Sequence, residues 1–207
     1  MKPLRADAER NRRLVLEAAA QAFAEEGFDV GVAEIARRAG VGNATVFRRF
    51  PTKDALFDAI VEDRIATLEA AAQEAALEPD PWKALVAFLE AGAAMQARDH
   101  GFFQATEQRL LKHPEILEKH RCVVDAVEPL VVRAQEAGVL RDDIGTTDVL
   151  GLMKAAVACL PPHVREQAWR RPLAMFLDGL RPGAATPLPV PALSFEDLEA
   201  ALQPHYA

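Results

Sequence analysis

Residues 28–57 constrain the fold of this chain more than any other segment, because their pattern predicts two short helices joined by a tight glycine turn. In the first helix, apolar residues recur at three- and four-residue spacing and form one face: Val32, Ile35, Ala36 and Ala39. Gly40 stands where a helix end favours a residue that accepts left-handed dihedral angles. Val41 is apolar within the turn, which indicates that the turn packs against a core. This arrangement is typical of a helix-turn-helix, whose second helix enters the DNA major groove.

The second short helix, residues 43–50, is predicted to have distinct inward and outward faces. Val46 and Phe50 are four positions apart and can pack inward. The outward stripe contains an amide, a small residue, an aromatic ring and a guanidinium: Asn43, Ala44, Phe47 and Arg48. These groups suit base edges, thymine methyl groups and phosphates. Three flanking residues can contact phosphate oxygens, which fixes register without reading sequence: Thr45, Arg49 and Lys53. The alternative is a core helix with a solvated basic face, which an exposed aromatic ring fits poorly.

The same segment lies within a longer series of motifs. In chain order they are Arg12, Val15, Leu16, Ala18, Ala19, Phe23, Gly27, Phe28, Ile35, Ala36, Ala39, Gly40, Val41, Thr45, Val46, Phe47, Phe50 and Lys53 through Leu56. This ordered set resembles the DNA-binding domain of the tetracycline-repressor (TetR) family of bacterial transcriptional regulators. The resemblance implies that the outward stripe faces bases and that the three flanking residues face phosphates.

Three residues depart from the pattern of that family. Phe47 stands where the family usually has tyrosine, so a hydroxyl contact to phosphate is absent. Gly31 and Gly42 replace the usual hydroxyl residues before the two short helices, so both helices are expected to begin with weak N-caps. These departures affect individual contacts and leave the predicted fold unchanged.

Charge is distributed unevenly along the 207 residues. The formal net charge is −7, but the first 53 residues hold ten basic and seven acidic side chains, a balance of +3. The remaining residues hold 14 basic and 24 acidic side chains, a balance of −10. A basic first segment and an acidic remainder are compatible with DNA binding at one end only.

The sequence also predicts a cellular compartment. Cys122 and Cys159 form no disulfide framework, as is usual in a reducing cytoplasm. The first ten residues lack the apolar run of a signal peptide, and no later run is long enough for a membrane span. We therefore expect a cytoplasmic protein without a membrane partner.

The sequence predicts an all-α fold. The domains would be an N-terminal three-helix DNA-binding domain with the helix-turn-helix (1–51), a helical ligand-binding and dimerisation domain (52–181), and a proline-rich tail with a short C-terminal helix (182–207). Boundary signals predict helices at 52–78, 80–99, 102–111, 114–138 with a kink near Pro129, 146–160 and 164–180. The initial caps would be Thr52, Asp80, and Thr146 or Thr147, and Gly101 would stop the helix before it. Ser194 and Asp197 form a capping box for a last helix, residues 195–202. This helix would dock on the body or on the partner subunit, or remain disordered.

Two late helices have more apolar surface than one small domain can cover. Residues 149–160 contain one charged side chain, Lys154, and residues 169–180 carry a second apolar stripe. The alternative is a central helix buried within a monomer. Relatives in the TetR family dimerise through their last two helices, so the resemblance implies a homodimer with these interface residues: Leu150, Met153, Val157, Leu173, Phe176, Leu177 and Leu180.

The resemblance further implies a cavity for a small-molecule effector in the second domain. Aromatic and methionine side chains with a few polar groups are the candidates for its lining: Trp82, Phe88, Met95, Phe102, Phe103, Gln104, Glu107 and Met153, with His163 as a further polar candidate. The alternative is that they are ordinary core residues.

Other chemistries find little support in the sequence. The glycines of the turn follow no strand, and neither histidine–cysteine spacing nor a nucleophile motif predicts a metal site, a cofactor or an enzyme. The chain is therefore predicted to be a ligand-responsive homodimeric repressor of a palindromic operator, binding double-stranded DNA and an unidentified small molecule. The alternative is an all-helical protein-interaction module without sequence-specific DNA binding.

Overall fold

The computed structural model of this chain describes residues 3–110, 115–158, 160–161, 164–184 and 186–202. Its secondary structure in these ranges is helical, which confirms the all-α prediction. The helices are α1 (Pro3–Glu26), α2 (Val32–Ala39), α3 (Asn43–Arg49), α4 (Lys53–Ala76), α5 (Pro81–Arg98), α6 (His100–Leu110), α7 (Glu115–Glu136), α8 (Thr146–Ala158), α9 (Arg165–Ala168), α10 (Arg170–Gly179) and α11 (Phe195–Leu202), with a 3-10 turn at Pro182–Ala184.

The chain divides into two compact units, and the domain boundaries at residues 51 and 181 remain predictions. Unit 1 comprises Met1–Arg64 and Gly101–Arg109, and unit 2 comprises Ile65–His100 and Leu110–Ala207. Helix α4 contributes its first half to unit 1 and its second half to unit 2.

Unit 1 is built around an aromatic cluster. The ring centroids of Phe23 and Phe28 lie 5.3 Å apart, and those of Phe23 and Phe57 lie 5.8 Å apart. Phe102 extends the cluster, with its centroid 5.1 Å from that of Phe57. Aliphatic residues of α1, α2 and α4 complete the buried core: Val15, Leu16, Ile35, Leu56 and Ile60. Burial of these large side chains is the main favourable term that holds the short helices together.

Gly101 has a different role from the one expected. Helix α5 ends at Arg98, and Gly101 is the second residue of α6 rather than a stop signal. A Cβ at this position would lie 2.5 Å from the Cβ of Ala24, so only glycine permits this close approach of α6 to α1. The residue therefore serves helix packing within unit 1.

Unit 2 packs its helices around α5. This helix contacts α7, α8, α9 and α10, and Leu85, Phe88 and Leu89 are fully buried. Gly92 allows close packing, because a Cβ there would lie 2.0 Å from the Sδ of Met153. The predicted N-cap is confirmed, since the carboxylate of Asp80 accepts hydrogen bonds from the backbone amides of Trp82 and Lys83.

Several helix boundaries differ from the expectations. The single helix predicted at 164–180 is two helices, α9 and α10, with Trp169 between them. Neither Thr146 nor Thr147 caps α8; instead the N–H of Gly145 donates to Asp148 Oδ2 at 2.9 Å, and the Thr147 hydroxyl donates to the carbonyl of Leu193. Pro129 lies inside α7 as predicted.

The tail docks on unit 2, which was one of the two open alternatives. The guanidinium of Arg121 on α7 bonds Glu196 at 2.9 Å and Glu199 at 3.1 Å, and it lies 4.6 Å from the ring centroid of Phe195. The predicted capping box is confirmed: Ser194 N–H donates to Asp197 Oδ2 at 2.8 Å, and Asp197 N–H donates to Ser194 Oγ at 3.1 Å. The tail is thus held by both charge pairs and a buried ring.

Two features of other classes of protein are absent from the described ranges. No helix among them combines the length and the apolar character that a bilayer span requires. No group of three or more His, Cys, Asp or Glu side chains among them could hold a metal ion. Cys159, His113 and His163 lie outside the described residues.

Candidate nucleic-acid interface

The turn between α2 and α3 has the geometry predicted for a helix-turn-helix. Gly40 adopts φ 66° and ψ 29°, the left-handed conformation that glycine accepts without strain. The N–H of Gly40 donates to the carbonyl of Arg37 at 3.2 Å, and the N–H of Val41 donates to that of Ala36 at 3.1 Å. These bonds end α2 and direct the chain into α3.

Helix α3 presents one face to unit 1 and the other to solvent. Val46 is buried within the helix, and Phe50 is buried just after it. The four residues of the predicted outward stripe are all exposed: Asn43, Ala44, Phe47 and Arg48. The Phe47 side chain is 48% exposed, which is unusual for an aromatic residue in a monomeric fold. An exposed ring beside a guanidinium is suited to contacts with a groove of DNA.

Both short helices begin without a side-chain cap, as expected from Gly31 and Gly42. The residues have extended backbone angles, φ −77° and ψ 145° at Gly31, and φ −68° and ψ 142° at Gly42. Only the glycine carbonyls take part in the first turns, where Thr45 N–H donates to Gly42 O at 2.8 Å. The first amides of α3 are therefore not satisfied by a neighbouring side chain at the N-cap.

Two of the predicted phosphate-facing residues make contacts within the free protein. Arg49 Nη1 donates to the carbonyl of Ala8 at 3.4 Å, and Arg49 Nη2 lies 3.7 Å from Glu9 Oε2. Lys53 Nζ donates to the carbonyl of Phe28 at 2.7 Å and lies 5.1 Å from the centroid of its ring. This contact gives Lys53 a structural role that sequence reasoning missed. Thr45 is half-buried.

The basic residues of α2 are engaged by carboxylates, a feature that the sequence analysis did not identify. Arg37 contacts Glu34 through Nε at 2.8 Å and through Nη2 at 2.6 Å. Arg38 contacts Glu34 at 2.9 Å, Glu25 at 2.7 Å, and also Glu26. Hydrogen bonds from Arg37, and then from Arg38, lower the pKa of Glu34 to about 2. The i,i+3 and i,i+4 spacing of Glu34, Arg37 and Arg38 predicts the contacts within α2. It does not predict the contacts to α1.

The candidate effector-binding residues are divided between the two units. Trp82, Phe88, Met95 and Met153 belong to unit 2, where all but the half-buried Trp82 are buried. Three others belong to unit 1: Phe102 and Phe103, whose centroids are 6.4 Å apart, and the exposed Gln104. The Glu107 side chain lies outside the described residues, as does His163.

Gln96 on α5 is a further candidate that sequence reasoning missed. Its side chain is 5% exposed and forms no hydrogen bond with the part of the chain that the structure describes. Its amide is not among the fully buried side-chain atoms that lack a partner, so it retains a small accessible surface at which a further group could bond. The amphipathic pattern of α5 shows that position 96 faces inward. It cannot show whether the side-chain amide has a hydrogen-bond partner there.

The predicted interface residues fall into two groups. Met153, Val157, Leu173 and Leu180 are buried inside the chain itself, so they have almost no surface left for a partner. Three are half-buried and keep some surface: Leu150, Phe176 and Leu177. Met175, which was not predicted, is 65% exposed on α10. An interface on these helices would therefore rest on Met175 and the half-buried group.

Comparison with protein families gives two matches. The model described as bacterial regulatory proteins, tetR family, matches residues 15–60. The model described as the C-terminal domain of SbtR-like transcriptional regulators matches residues 80–182.

Solved structures resemble most of the chain. A TetR transcription regulatory protein from Mycobacterium vanbaalenii is 33% identical, with a TM-score of 0.63, over 86% of this chain and 99% of that one. A TetR transcriptional regulator from Streptomyces coelicolor is 32% identical, with a TM-score of 0.65, over 83% of this chain and 98% of that one. A TetR family regulator from Thermus thermophilus shares the fold at 22% identity, with a TM-score of 0.67, over 83% and 99% of the two chains.

Proposed function

This chain belongs to the TetR family of bacterial regulatory proteins, and from that premise we propose that its α3 reads a palindromic operator as part of a homodimeric, effector-responsive repressor. Membership makes the chain a DNA-binding transcriptional regulator. The roles of single residues, the dimer interface and the effector site are the proposal.

The exposed stripe on α3 is the observation that carries the DNA-reading proposal. Asn43 and Arg48 supply an amide and a guanidinium that can bond base edges, and Ala44 and Phe47 supply apolar contacts for thymine methyl groups. The neighbouring Arg49 and Lys53 would hold phosphates, because their donors exceed the contacts that each makes in the free protein. A solvated helix would gain nothing from leaving Phe47 in water.

Binding to a randomised DNA library, measured at several salt concentrations, tests this assignment. The unmodified protein should select a palindrome with half-sites about one helical turn apart or a multiple of it. Arg48→Ala should relax the preference at one position in each half-site and cost roughly 1–3 kcal/mol on the preferred sequence. Lys53→Ala should weaken binding to all DNA sequences alike. It should also reduce the salt dependence of the affinity by about one phosphate contact.

The outcome also separates the two function classes. A protein-interaction module would give no salt-sensitive, sequence-selective complex, and nothing in the matched families supports that class. Identical specificity profiles for Arg48→Ala and Lys53→Ala would contradict the division between base-reading and phosphate-holding residues.

The dimer interface is proposed on the outward faces of α8 and α10. The inward face of α8 is occupied by the core residues Val149, Met153, Ala156 and Val157. Its outward face includes exposed residues with small side chains, Gly151, Ala155 and Ala158, which let a second helix approach closely. Met175 and Arg171 lie four residues apart on α10, and both are exposed, as suits an apolar centre with a polar rim.

The effector is proposed to bind among the helices of unit 2. The buried side chains of Phe88, Met95 and Met153 support a largely apolar ligand. The amide of Gln96, which forms no hydrogen bond with the described residues, supports a neutral polar group on that ligand. An amide can both donate and accept, which fits a hydroxyl, ketone or amide. If the effector weakens operator binding, the operator must weaken effector binding by the same factor. Calorimetric titration measures the effector affinity with and without operator, and the operator affinity with and without effector.

A further inference from the structure

Arg38 on α2 differs from the other arginines of the helix-turn-helix in having every part of its guanidinium engaged. Its Nε lies 2.9 Å from Glu34 on the same helix. Its Nη1 lies 2.7 Å from Glu25 at the end of α1, and its Nη2 bonds the neighbouring Glu26. The Arg38 side chain is only 20% exposed, whereas that of Arg37 is 73% exposed. One guanidinium thus joins two helices.

The charge of this network argues against a phosphate contact. Two guanidiniums, on Arg37 and Arg38, face three carboxylates, on Glu25, Glu26 and Glu34, so the cluster carries a formal charge of −1. Hydrogen bonds to Glu34 above all, and also to Glu25, raise the pKa of Arg38 above its usual value, so the guanidinium stays charged. A phosphate would have to displace carboxylates that already satisfy these donors.

Helix α3 depends on α2 for its position. It has seven residues, one buried side chain at Val46, and no side-chain cap at Gly42. A helix this short is not stable on its own. The glycine turn at Gly40 links it directly to α2, so any rotation of α2 on α1 moves the stripe that reads DNA.

Helix α2 is itself small. It has eight residues, it begins at the uncapped Gly31, and its buried residues are Ile35, Ala36 and Ala39. Helix α2 packs against α1, and two of its three buried residues are alanines, whose small side chains offer little resistance to sliding and rotation. The directional bonds of Arg38 to both helices supply that resistance.

We propose that Arg38 is a positioning residue for DNA reading: by bridging Glu25 and Glu26 of α1 to Glu34 of α2, it fixes the orientation of α2 and α3 without contacting DNA. The inference rests on the proposed DNA-reading role of α3. It predicts that loss of the bridge lowers affinity for the preferred operator while the number of phosphate contacts stays the same.

Arg38→Gln and Arg37→Gln form a matched pair, because each removes one positive charge from the same helix. Among the described residues Arg37 forms side-chain hydrogen bonds with Glu34 of the same helix alone, so its loss leaves the hydrogen-bonded bridge to α1 intact. On the sequence selected from a randomised library, Arg38→Gln should weaken binding roughly ten-fold more than Arg37→Gln, with an unchanged salt slope. An equal loss on all sequences, with a slope lowered by about one, would instead assign Arg38 to phosphate and overturn the proposal.

Glu25→Gln gives a test in which a purely electrostatic effect and the positioning role predict opposite changes in DNA affinity. Removing a carboxylate from the DNA-binding unit should tighten DNA binding if electrostatics alone decides. The positioning role predicts weaker binding to the operator, because Arg38 loses its charge-assisted bond to Glu25, one of its two contacts on α1. Glu17→Gln is the control, since this exposed residue also lies on α1 and its side chain forms no hydrogen bond with the described residues. Tighter binding by Glu25→Gln than by Glu17→Gln would overturn the proposal.

Hydrogen exchange on the free protein keeps this test separate from the proposed function. Arg38→Gln should speed amide exchange in α2 and α3 relative to Arg37→Gln, while exchange in α5 is unchanged. If the unmodified protein selected no DNA sequence, the proposed function would fail, but the exchange rates would still decide the bridge. Equal exchange in the two variants would overturn the positioning role.

Discussion

Gln96 and Gln135 carry the same amide in opposite situations. Gln96 is buried without a hydrogen bond to the described residues, whereas Gln135 Nε2 donates to the carbonyls of Arg141 at 3.2 Å and Ile144 at 2.9 Å. The Gln96 amide is not among the fully buried side-chain atoms without a partner, so only part of the roughly 1–3 kcal/mol cost of an unpaired buried polar group applies to it. Leucine has a similar size, so Gln96→Leu should raise the free energy of unfolding by about 1 kcal/mol in urea denaturation.

Gln135→Leu is the control for this substitution. It removes two hydrogen bonds and leaves two carbonyls unpaired, so it should lower the free energy of unfolding. Destabilisation by Gln96→Leu would mean that its amide is already satisfied, and Gln96 would then drop out of the effector proposal. The two glutamines are chemically identical, so only their surroundings can give opposite signs.

The sequence predicts whether a single residue is exposed when the spacing within one helix determines its exposure. The exposure of Phe47 and Arg48 follows from the period of one short helix once Val46 is placed inward. The Arg38 network was missed because Glu25 and Glu26 come from a different helix, and spacing along α2 reveals only Glu34. Pairing between helices depends on tertiary contacts that a single sequence does not encode locally.

At the scale of the helix, the uncapped N-termini of α2 and α3 can be improved. Gly42 has backbone angles that serine accepts, and a Cβ there would lie 3.8 Å from the nearest atom, Thr45 Oγ1. Gly42→Ser should therefore cap α3 and restrict the unfolded chain, raising the free energy of unfolding by a few tenths of a kcal/mol. Thermal denaturation measures the gain.

Gly40→Ser is the contrasting variant. Its φ of 66° strains any residue with a Cβ, so the same substitution two positions earlier should destabilise the protein. If Gly42→Ser were also destabilising, the extended N-cap geometry at this position would be incorrect.

The tail is attached to the rest of unit 2 by a second arginine. Arg141 is buried, binds both carboxylate oxygens of Asp143 at 2.6 and 2.7 Å, and donates to the carbonyl of Thr186 at 2.8 Å. The hydrogen bonds from Arg141 lower the pKa of Asp143 from 3.8 to about 2. Because the folded pKa is depressed, this stabilisation is present above about pH 4 and is lost as the pH falls towards 2.

Asp143→Asn tests that dependence. The variant should be less stable than the unmodified protein near neutral pH, and the difference should shrink as the pH falls from about 4 to about 2. Asp142→Asn is the control, because this exposed neighbour forms no side-chain hydrogen bond with the described residues. Urea denaturation across this range gives the result, and a difference that is independent of pH would contradict the Arg141–Asp143 contribution.

Helix boundaries followed the same division between local and tertiary causes. Asp80, Gly40 and the Ser194–Asp197 box were predictable because a cap is a contact within four residues. Gly101 was misread because its reason is the approach of Ala24 from α1. A glycine is a turn signal in isolation, but the same residue is required wherever two helices touch backbone to backbone.

For the whole molecule, assembly depends on surface that each chain leaves uncovered. The core of unit 2 already covers Val157 and Leu173, so charge at those positions would unfold the chain and reveal nothing about a partner. Met175 is 65% exposed, so a charged side chain fits there in the monomer and conflicts only with a partner. It is the position at which folding and dimerisation can be separated.

Met175→Glu should therefore convert the proposed dimer to a monomer without loss of helicity, because a charge buried at the centre of an interface costs several kcal/mol. Val132→Glu introduces the same charged residue at an exposed apolar position of α7, outside the proposed interface. This control variant should remain dimeric. Sedimentation and circular dichroism at micromolar concentration measure both properties. The monomeric variant should also lose preference for the palindrome, because one α3 contacts a single half-site. A monomeric unmodified protein, or a dimeric Met175→Glu, would place the interface elsewhere.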